Sequence, residues 1–513
     1  MSNLSVASSL APVYAATPSY IKRSAVPFSP RFPMPGGTTN GLTIGTDGTS
    51  TTYVPIRSAL ECQAWGATVA VWSYTDRAAS LGFASPAAFI AEFAAIGVPI
   101  QATTNSSAVS DSVGPFAKDI AGYDFSPSGA SPRPAPLTGP SINRAATTIS
   151  WAPANDTAGT KTPKLATITA QIAAGASMLH QDDPRGLSAL CGFRGNIASN
   201  DLTSQAADFS ATAIAGFPAW LSANTTIAQR TAVGLPSDPT GLDITAWLDT
   251  NYNSIMHSPG QTNPLLVDGY LMRTSISANE NLRTILLKWY AQYLRDDQYA
   301  YLQQVKSTAG VPLSCNLYAA SPSDFMTWIG RKTPQVWDFA ISEVPPPYWS
   351  QISGNTVGSA AWMLTRWAQT AAQHMQMMMA DWCGLLCLCE HKPTAPNTAP
   401  ARVVTQLMRQ SIMQTVMEGH VPVVPADIFM TTGDARDQGV SVDGYRWWGS
   451  TANFGDLFAF IKAQAALIDS YEKLATVHVA VCNDSWPFSE GGSATRYDAL
   501  CARLGELWRR DVD

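Results

Sequence analysis

Short apolar runs of strand length alternate with amphipathic, helix-like segments along the chain from about residue 60 onward. This alternation is typical of parallel strands with helices packed outside the sheet. The predicted strands are Ala67–Tyr74, Pro99–Thr104, Ala176–Asp182, Val311–Tyr318, Val336–Glu343, Cys383–Glu390 and Val421–Asp427. The predicted helices include Pro86–Ile96, Asn279–Val305, Ser359–Met379, Arg402–Glu418 and Phe454–Tyr471.

These seven strands are one short of a closed barrel, and we expect an eighth between residues 105 and 155. The predicted fold class is therefore α/β, a (β/α)8 TIM barrel with long βα-loop insertions. An extended N-terminal arm and a short C-terminal α/β extension complete the prediction. A doubly wound open sheet is the alternative arrangement.

Composition and pattern divide the chain into three predicted parts. Residues 1–55 are rich in Ser, Thr, Pro and Gly, which predicts an extended arm lying on the body or on a partner. Residues 56–472 form the barrel, with insertions at 105–175 and 185–278, and residues 473–513 form a strand–helix extension.

The charge balance of the chain excludes some classes of partner. Its 513 residues are 46% hydrophobic and only 14% charged, with a net charge of −6. Neither nucleic acid nor a membrane is expected as a partner. The 16 Trp and 16 Tyr fit carbohydrate binding and a large core equally well. We expect no cofactor, because no phosphate loop or multi-histidine site occurs.

The N-terminal residues lack a basic region followed by a sustained apolar region, so Sec export is not expected. The expected location is a cytoplasm, or release by another route, including in a phage particle. Eight scattered cysteines show no paired framework. Cys383, Cys387 and Cys389 are interpreted as buried thiols of a strand rather than as metal ligands.

Two predicted strands end in carboxylates. One run finishes in His180-Gln-Asp182-Asp183 before a proline, and another finishes in Glu343 before three prolines. The carboxyl ends of barrel strands are where catalytic groups lie. Because adjacent strand residues point to opposite faces, only one of Asp182 and Asp183 can face the barrel mouth. Paired carboxylates predict glycosidic-bond chemistry.

Two further carboxylates, Glu390 and Asp427, close predicted strands in the same way, so any two of the four ends could form the pair. His180 shares a face with Asp182 and is a candidate to orient it or to bind a sugar hydroxyl. The remaining substrate-binding candidates are polar strand ends and aromatic stacking platforms, for which a core role is the alternative: Asn316, Tyr318, Trp72, Tyr74, Trp349, Trp447 and Trp448.

The chain resembles the (β/α)8 glycoside hydrolases that include the family 42 β-galactosidase-like proteins. The matching stretches include His180-Gln-Asp-Asp-Pro184, Val311-Pro-Leu-Ser-Cys-Asn316, Ile341-Ser-Glu343 and Arg409–Asp427. That family uses an Asn-Glu pair on the fourth strand, where this chain has Asp182-Asp183. The resemblance implies that Glu343 suits the acid position of barrel glycosidases with an aspartate nucleophile.

The predicted function is cleavage of glycosidic bonds in a polysaccharide or oligosaccharide. Asp183 or Asp182 would be one catalytic carboxylate, and Glu343 or Glu390 the other. The first alternative is a non-catalytic carbohydrate-binding or structural barrel, for example a phage-particle component that forms a homo-oligomer or larger assembly through its arm. The second is a metal-dependent hydrolase using Asp182, Asp183, Glu343 and His180.

Overall fold

A computed structural model was obtained for the whole chain. The structure describes residues 22–30, 43–44, 51–52, 58–78, 83–105, 108–109, 150–151, 155–182, 209–247, 250–251, 282–318, 336–344, 378–383, 409, 412–413, 416, 421–424 and 451–470.

An eight-stranded sheet organises the described residues, and every pairing in it is parallel. Its strands follow one another in chain order, interrupted only by two small antiparallel pairs, β2–β3 and β6–β7. The twelve strands are β1 Pro27–Phe28, β2 Thr43–Ile44, β3 Thr51–Thr52, β4 Val69–Ser73, β5 Ile100–Asn105, β6 Ala108–Val109, β7 Ser150–Trp151, β8 Met178–Asp182, β9 Leu313–Tyr318, β10 Phe339–Val344, β11 Met378–Cys383 and β12 Val421–Pro422.

A backbone hydrogen bond joins the first strand in this order to the residues just after the last. Phe28 of β1 forms a parallel bridge with Val424, which lies just beyond β12. The Val424 N–H also donates to the Pro27 carbonyl over 2.8 Å. The first and last strands of the sheet are therefore hydrogen-bonded neighbours.

Described helices lie before β4, between β4 and β5, and before β8 and β9, as the connections of parallel strands require. The described α-helices include Ser58–Ala64, Pro86–Ala95, Thr162–Ala173, Ala211–Ile214, Phe217–Asn224, Ile227–Ala232, Leu282–Ala309, Thr451–Ala463 and Ala465–Ile468. A π-helix, Thr157–Lys161, leads into the third of these. No described helix is long and apolar enough to cross a membrane.

Local sequence explains how the helices before β5 and β8 begin and end. The Ser85 hydroxyl accepts a hydrogen bond from the Ala88 N–H and caps helix Pro86–Ala95, which starts with proline. Gly97 then turns the chain into β5 with a φ of +72°, and Gly175 turns it into β8 with a φ of +103°. Both angles lie in the left-handed region that favours glycine.

Two apolar clusters lie on opposite faces of the sheet. The outer cluster packs strand residues such as Ala70, Leu179 and Leu313 against helix residues such as Phe89 and Leu302. The other cluster, which we call the inner cluster, contains Ala25, Val69, Val71, Trp72, Tyr74, Met178, Phe339, Ile341, Val421 and Val423. Strand alternation separates the two sets, as Met178 and Leu179 show.

Six of the seven predicted strands are confirmed in position. The predicted start of the seventh, Cys383–Glu390, is wrong, and its residues after Cys383 lie outside the described residues. The strand that pairs with β10 is Met378–Cys383, which the sequence pattern assigned to the end of a helix and to the first residue of Cys383–Glu390. The Met-Met-Ala-Asp-Trp run satisfies strand pairing as well as it satisfies a helical pattern, and tertiary pairing decided the outcome. Glu390 lies outside the described residues.

The prediction of an eighth strand between 105 and 155 is also wrong for the main sheet. Its eighth strand is Pro27–Phe28, within the predicted N-terminal arm, and the described strands β6 and β7 pair only with each other. Ala25, Val26 and Phe28 are buried, so this part of the arm belongs to the core. A two-residue strand carries no periodic signal that a sequence pattern could reveal.

Candidate active site at the carboxyl ends of the strands

Asp182 is the last residue of β8, and its side chain meets Tyr74 inside the sheet. The Tyr74 hydroxyl donates a hydrogen bond to Oδ2 of Asp182. Asp182 is 4% exposed and Tyr74 is 6% exposed. Because Tyr74 belongs to the inner cluster, this contact places the Asp182 carboxylate on the inner face of the sheet.

A β-bulge in β4 brings Tyr74 to this position. The register between β4 and β5 shifts between Ala70 and Ser73. Trp72 lies in the bulge with a φ of +52°, and it is the one non-glycine residue with a positive φ among those that the structure describes. A bulge re-aims the side chains that follow it, and left-handed backbone is costly for a bulky residue.

A buried polar network supports the bulge. The Trp72 N–H donates to Oε1 of Gln101 over 3.1 Å, and Nε2 of Gln101 donates to the Ser314 hydroxyl over 2.8 Å and to the Leu179 carbonyl over 3.4 Å. Nδ1 of His180 lies 2.7 Å from the same Ser314 hydroxyl. The rings of Trp72 and His180 are in contact, with centroids 4.7 Å apart.

Contacts across the inner face connect alternate strands with a fixed offset. Gln101 is paired with Met178, and the next residue, Leu179, is paired with Leu313. Ser314 is the β9 residue that Gln101 contacts. It therefore lies two positions beyond the β9 residue that stands in the same register row as Gln101. The contact between Trp72 and His180 shows the same sense of offset across β4, β5 and β8.

An offset of this kind arises where the strands of a sheet are tilted. In an eight-stranded barrel with a shear of eight, register slides by about one residue per strand, so level side chains come from alternate strands. Tyr74 and Asp182 follow Trp72 and His180 by two residues each, and they form the next level toward the carboxyl ends.

The backbone positions of three other predicted site residues are described. Glu343 of β10 is paired with Tyr318 of β9 on one side and with Trp382 of β11 on the other. Asn316 is paired with Ile341. All of these positions fall in the carboxyl-terminal halves of adjacent parallel strands.

The other predicted site residues lie outside the described residues. They are Asp183, Glu390, Trp349, Asp427, Trp447 and Trp448. Their assignment as catalytic or substrate-binding groups stays a prediction. Within the described ranges, no group of three or more His, Cys, Asp or Glu side chains is arranged to hold a metal ion.

The structure gives His180, Trp72 and Tyr74 roles inside the sheet. His180 and Trp72 are both fully buried, and they pack on each other. These contacts do not support the predicted role of Trp72 as a sugar-stacking platform, since neither ring is exposed. Tyr74 likewise contributes its hydroxyl to Asp182 rather than an exposed ring face.

Sequence reasoning missed Gln101 and Ser314, which connect the network. Both are fully buried. The available signal was a polar residue in an otherwise apolar or β-branched strand, as in Pro99-Ile-Gln-Ala-Thr and Val311-Pro-Leu-Ser-Cys. Such a residue must find a hydrogen-bond partner inside the fold.

No protein-family model and no curated protein matches the chain. Two solved structures are similar at low levels. The PgaB (BpsB) glycoside hydrolase domain from Bordetella bronchiseptica is 12% identical with a TM-score of 0.32, covering 68% of this chain and 78% of that one. The catalytic domain of beta-amylase from Paenibacillus polymyxa is 12% identical with a TM-score of 0.34, covering 85% and 99%. Both are glycoside hydrolase domains, but TM-scores this low carry no argument about this chain, and neither supports family 42.

Proposed function

We propose that this protein is a (β/α)8-barrel glycoside hydrolase in which Asp182 and Glu343 form the catalytic carboxylate pair. The observation that carries the proposal is the position of a buried, hydrogen-bonded Asp182 at the carboxyl end of a parallel strand, on the inner face of the sheet. Catalytic groups of barrel enzymes lie at this end of the strands.

The backbone hydrogen bond between β1 and Val424, just after β12, supports closure of the barrel. Eight parallel strands, described helices before β4, β5, β8 and β9, and the Phe28–Val424 bridge fit a (β/α)8 barrel. The two-residue offset across alternate strands supports the same geometry, because an open, untilted sheet has no reason to show it.

The same offset supports Glu343 as the partner of Asp182. Ser314 is paired with His180 on one side and with Phe339 on the other, so these three residues form one row. Two positions further along β10 is Ile341, at the level of His180, and two beyond it is Glu343, at the level of Asp182. The two carboxylates would then come from alternate strands of one layer.

The alternation of β8 favours Asp182 over Asp183 as the inner carboxylate. Asp182 contacts Tyr74 of the inner cluster, and a following strand residue points to the opposite face. Asp183 is then the weaker candidate for the catalytic carboxylate. A carboxyl separation near 5 Å would predict retention of anomeric configuration, and one of about 6.5 to 9.5 Å would predict inversion.

The low exposure of Asp182 favours a second candidate, a non-catalytic carbohydrate-binding or structural barrel. At 4% exposure the carboxylate has little contact with solvent, whereas a substrate needs access to it. Glycan binding without any cleavage by the wild-type protein would support this candidate.

Reducing-sugar release from a panel of polysaccharides tests the proposal. We expect the wild type to release sugar, and Asp182→Asn and Glu343→Gln to lower the rate by about 10²- to 10⁴-fold, as loss of a general acid or base does. Asp338→Asn is the matched control, because Asp338 directly precedes β10, at the opposite end from Glu343. Its carboxylate pairs with Lys306 and accepts a hydrogen bond from the Leu313 N–H. Melting curves of all variants establish that each is folded. Full activity in a folded Asp182→Asn variant would contradict the proposal.

A further inference from the structure

We propose that Tyr74 is a positioning residue that holds the Asp182 carboxylate in its reactive orientation, and that the β4 bulge exists to place it there. This inference rests on the proposed function. It reassigns Tyr74 from a surface that binds sugar to a group that acts through Asp182.

The contact geometry favours this role over stacking. The Tyr74 ring is buried in the inner cluster. Its hydroxyl donates to Oδ2 of Asp182 on β8, which β5 separates from β4 in the sheet. A stacking platform would expose its ring face to the ligand. A hydroxyl bonded to one carboxylate oxygen instead restricts rotation of the Asp182 side chain.

The backbone before Tyr74 is held at three consecutive points. Val71 packs in the inner cluster, the Trp72 N–H donates to Gln101, and the Ser73 hydroxyl donates to the Pro30 carbonyl over 3.2 Å. These contacts offset the cost of a left-handed Trp72. Costly backbone persists where surrounding structure fixes it, often at functional sites.

Positioning matters chemically because a catalytic carboxylate must meet the reacting atom within a narrow range. A misplacement of about 1 Å can cost on the order of 10²-fold in rate. Without the phenol hydroxyl, the Asp182 side chain would lose one restraint on its orientation. The loss would appear in kcat, since the binding of the substrate is not changed.

Steady-state kinetics of Tyr74→Phe, on a glycan that the wild type cleaves, is the first arm of the test. This change removes only the hydroxyl and keeps the ring. We expect kcat to fall by about 10- to 100-fold with KM within about twofold of the wild type. The control is Tyr301→Phe, because Tyr301 is also buried and its hydroxyl has no hydrogen-bond partner among the described residues. We expect that control to keep both constants.

The second arm does not depend on activity. Protein labelled with ¹³C at the tyrosine Cζ gives one signal per tyrosine, and Tyr74→Phe identifies the signal of Tyr74. We expect this signal to shift in Asp182→Asn, which removes the charged acceptor, while the signal of Tyr301 does not move. Melting curves establish that both variants are folded.

The outcomes separate this inference from the proposed function. A Tyr74 signal that is insensitive to Asp182→Asn would overturn the contact, even if the wild type is an active glycosidase. A raised KM with unchanged kcat would make Tyr74 a substrate-binding group and overturn the positioning role. If no glycan is cleaved while the signal still responds to Asp182→Asn, the proposed function fails and the contact is structural only.

Discussion

The two faces of the main sheet differ in the kinds of side-chain contact that stabilise them. On the outer face, the strands present Ala70, Ile100, Leu179 and Leu313 to the helices, and the packing is mostly apolar, beside the buried hydrogen bonds of Gln171 with Thr104 and Thr75. The inner face mixes apolar residues with buried Gln101, which is hydrogen-bonded to its neighbours.

The difference separates what holds the fold from what shapes its interior. Apolar burial is non-directional and tolerates many arrangements, so the outer layer can stabilise the sheet without fixing one geometry. Buried hydrogen bonds are directional, and an unpaired group is costly, so the inner network specifies where each side chain lies. The Tyr74–Asp182 contact lies two residues further along β4 and β8 than the contact of Trp72 with His180.

The largest expected effect is the protection of the buried Cys62 thiol, which lies in the outer cluster, from reaction with solvent-borne reagents. Burial raises the pKa of the Cys62 thiol from 9.0 to about 12, so its thiolate fraction at pH 8 falls by about a thousandfold. We expect Cys62 in the native protein to resist alkylation and to react once urea unfolds the chain. Mass spectrometry of the peptide that carries Cys62 measures the rate. Labelling of the native protein at the rate of a free thiol would show that this layer opens to water.

A cavity on the outer face should lower stability strongly. Leu179 is fully buried between the sheet and the helices. We expect Leu179→Ala to lower the free energy of unfolding by about 3 kcal/mol. Urea denaturation measures the change. The control is Met178→Leu, the inner-face neighbour, for which a volume-conserving change should cost less than about 1.5 kcal/mol. Equal costs for the two variants would break the distinction between the faces.

Removal of the network's central residue tests the inner face. Gln101→Leu keeps the size of the side chain but removes the acceptor of the Trp72 N–H and the donor to Ser314. We expect the free energy of unfolding to fall by about 2 kcal/mol, because the buried Trp72 N–H and Ser314 hydroxyl lose a hydrogen-bond partner. Gln63→Leu, on an exposed position of helix Ser58–Ala64, is the control and should change stability by less than about 0.5 kcal/mol. An unchanged Gln101→Leu midpoint would mean that the network does not contribute to stability.

The smallest effect is expected at the exposed surface, where neither face is involved. Arg409 holds Asp456 through two charge-assisted hydrogen bonds of 2.7 and 2.6 Å. The bonds from Arg409 lower the pKa of Asp456 below its ordinary value of 3.8. The stabilisation is therefore present above about pH 4 and is lost as the pH falls through the lowered pKa.

We expect Arg409→Met to cost no more than about 1 kcal/mol at pH 7, because the pair is largely exposed. The difference from the wild type should shrink below pH 4 and in high salt. Thermal denaturation over a pH series measures it. A difference that grows on acidification would contradict the assignment of this pair.

The apolar runs alone located six strands of the main sheet and their parallel order, because each run is long enough to show its burial. They did not locate β1, since Pro27–Phe28 is too short to carry a pattern, nor the bounds of β11, where a methionine run suits both helix and strand. The carboxylate at the end of β8 was also evident in the sequence, since Asp182 ends an apolar run.

The tertiary structure alone decided how the residues of different strands meet. Register and tilt bring Tyr74 to Asp182 across 108 positions of sequence and Gln101 to Ser314 across 213. The bulge at Trp72 is set by pairing with β5, which no local pattern encodes. The sequence by itself indicated burial only along the longer apolar runs, because there burial follows from the hydrophobic period. Which buried polar groups become partners depends on the offset between strands, and that exists only once the sheet has formed.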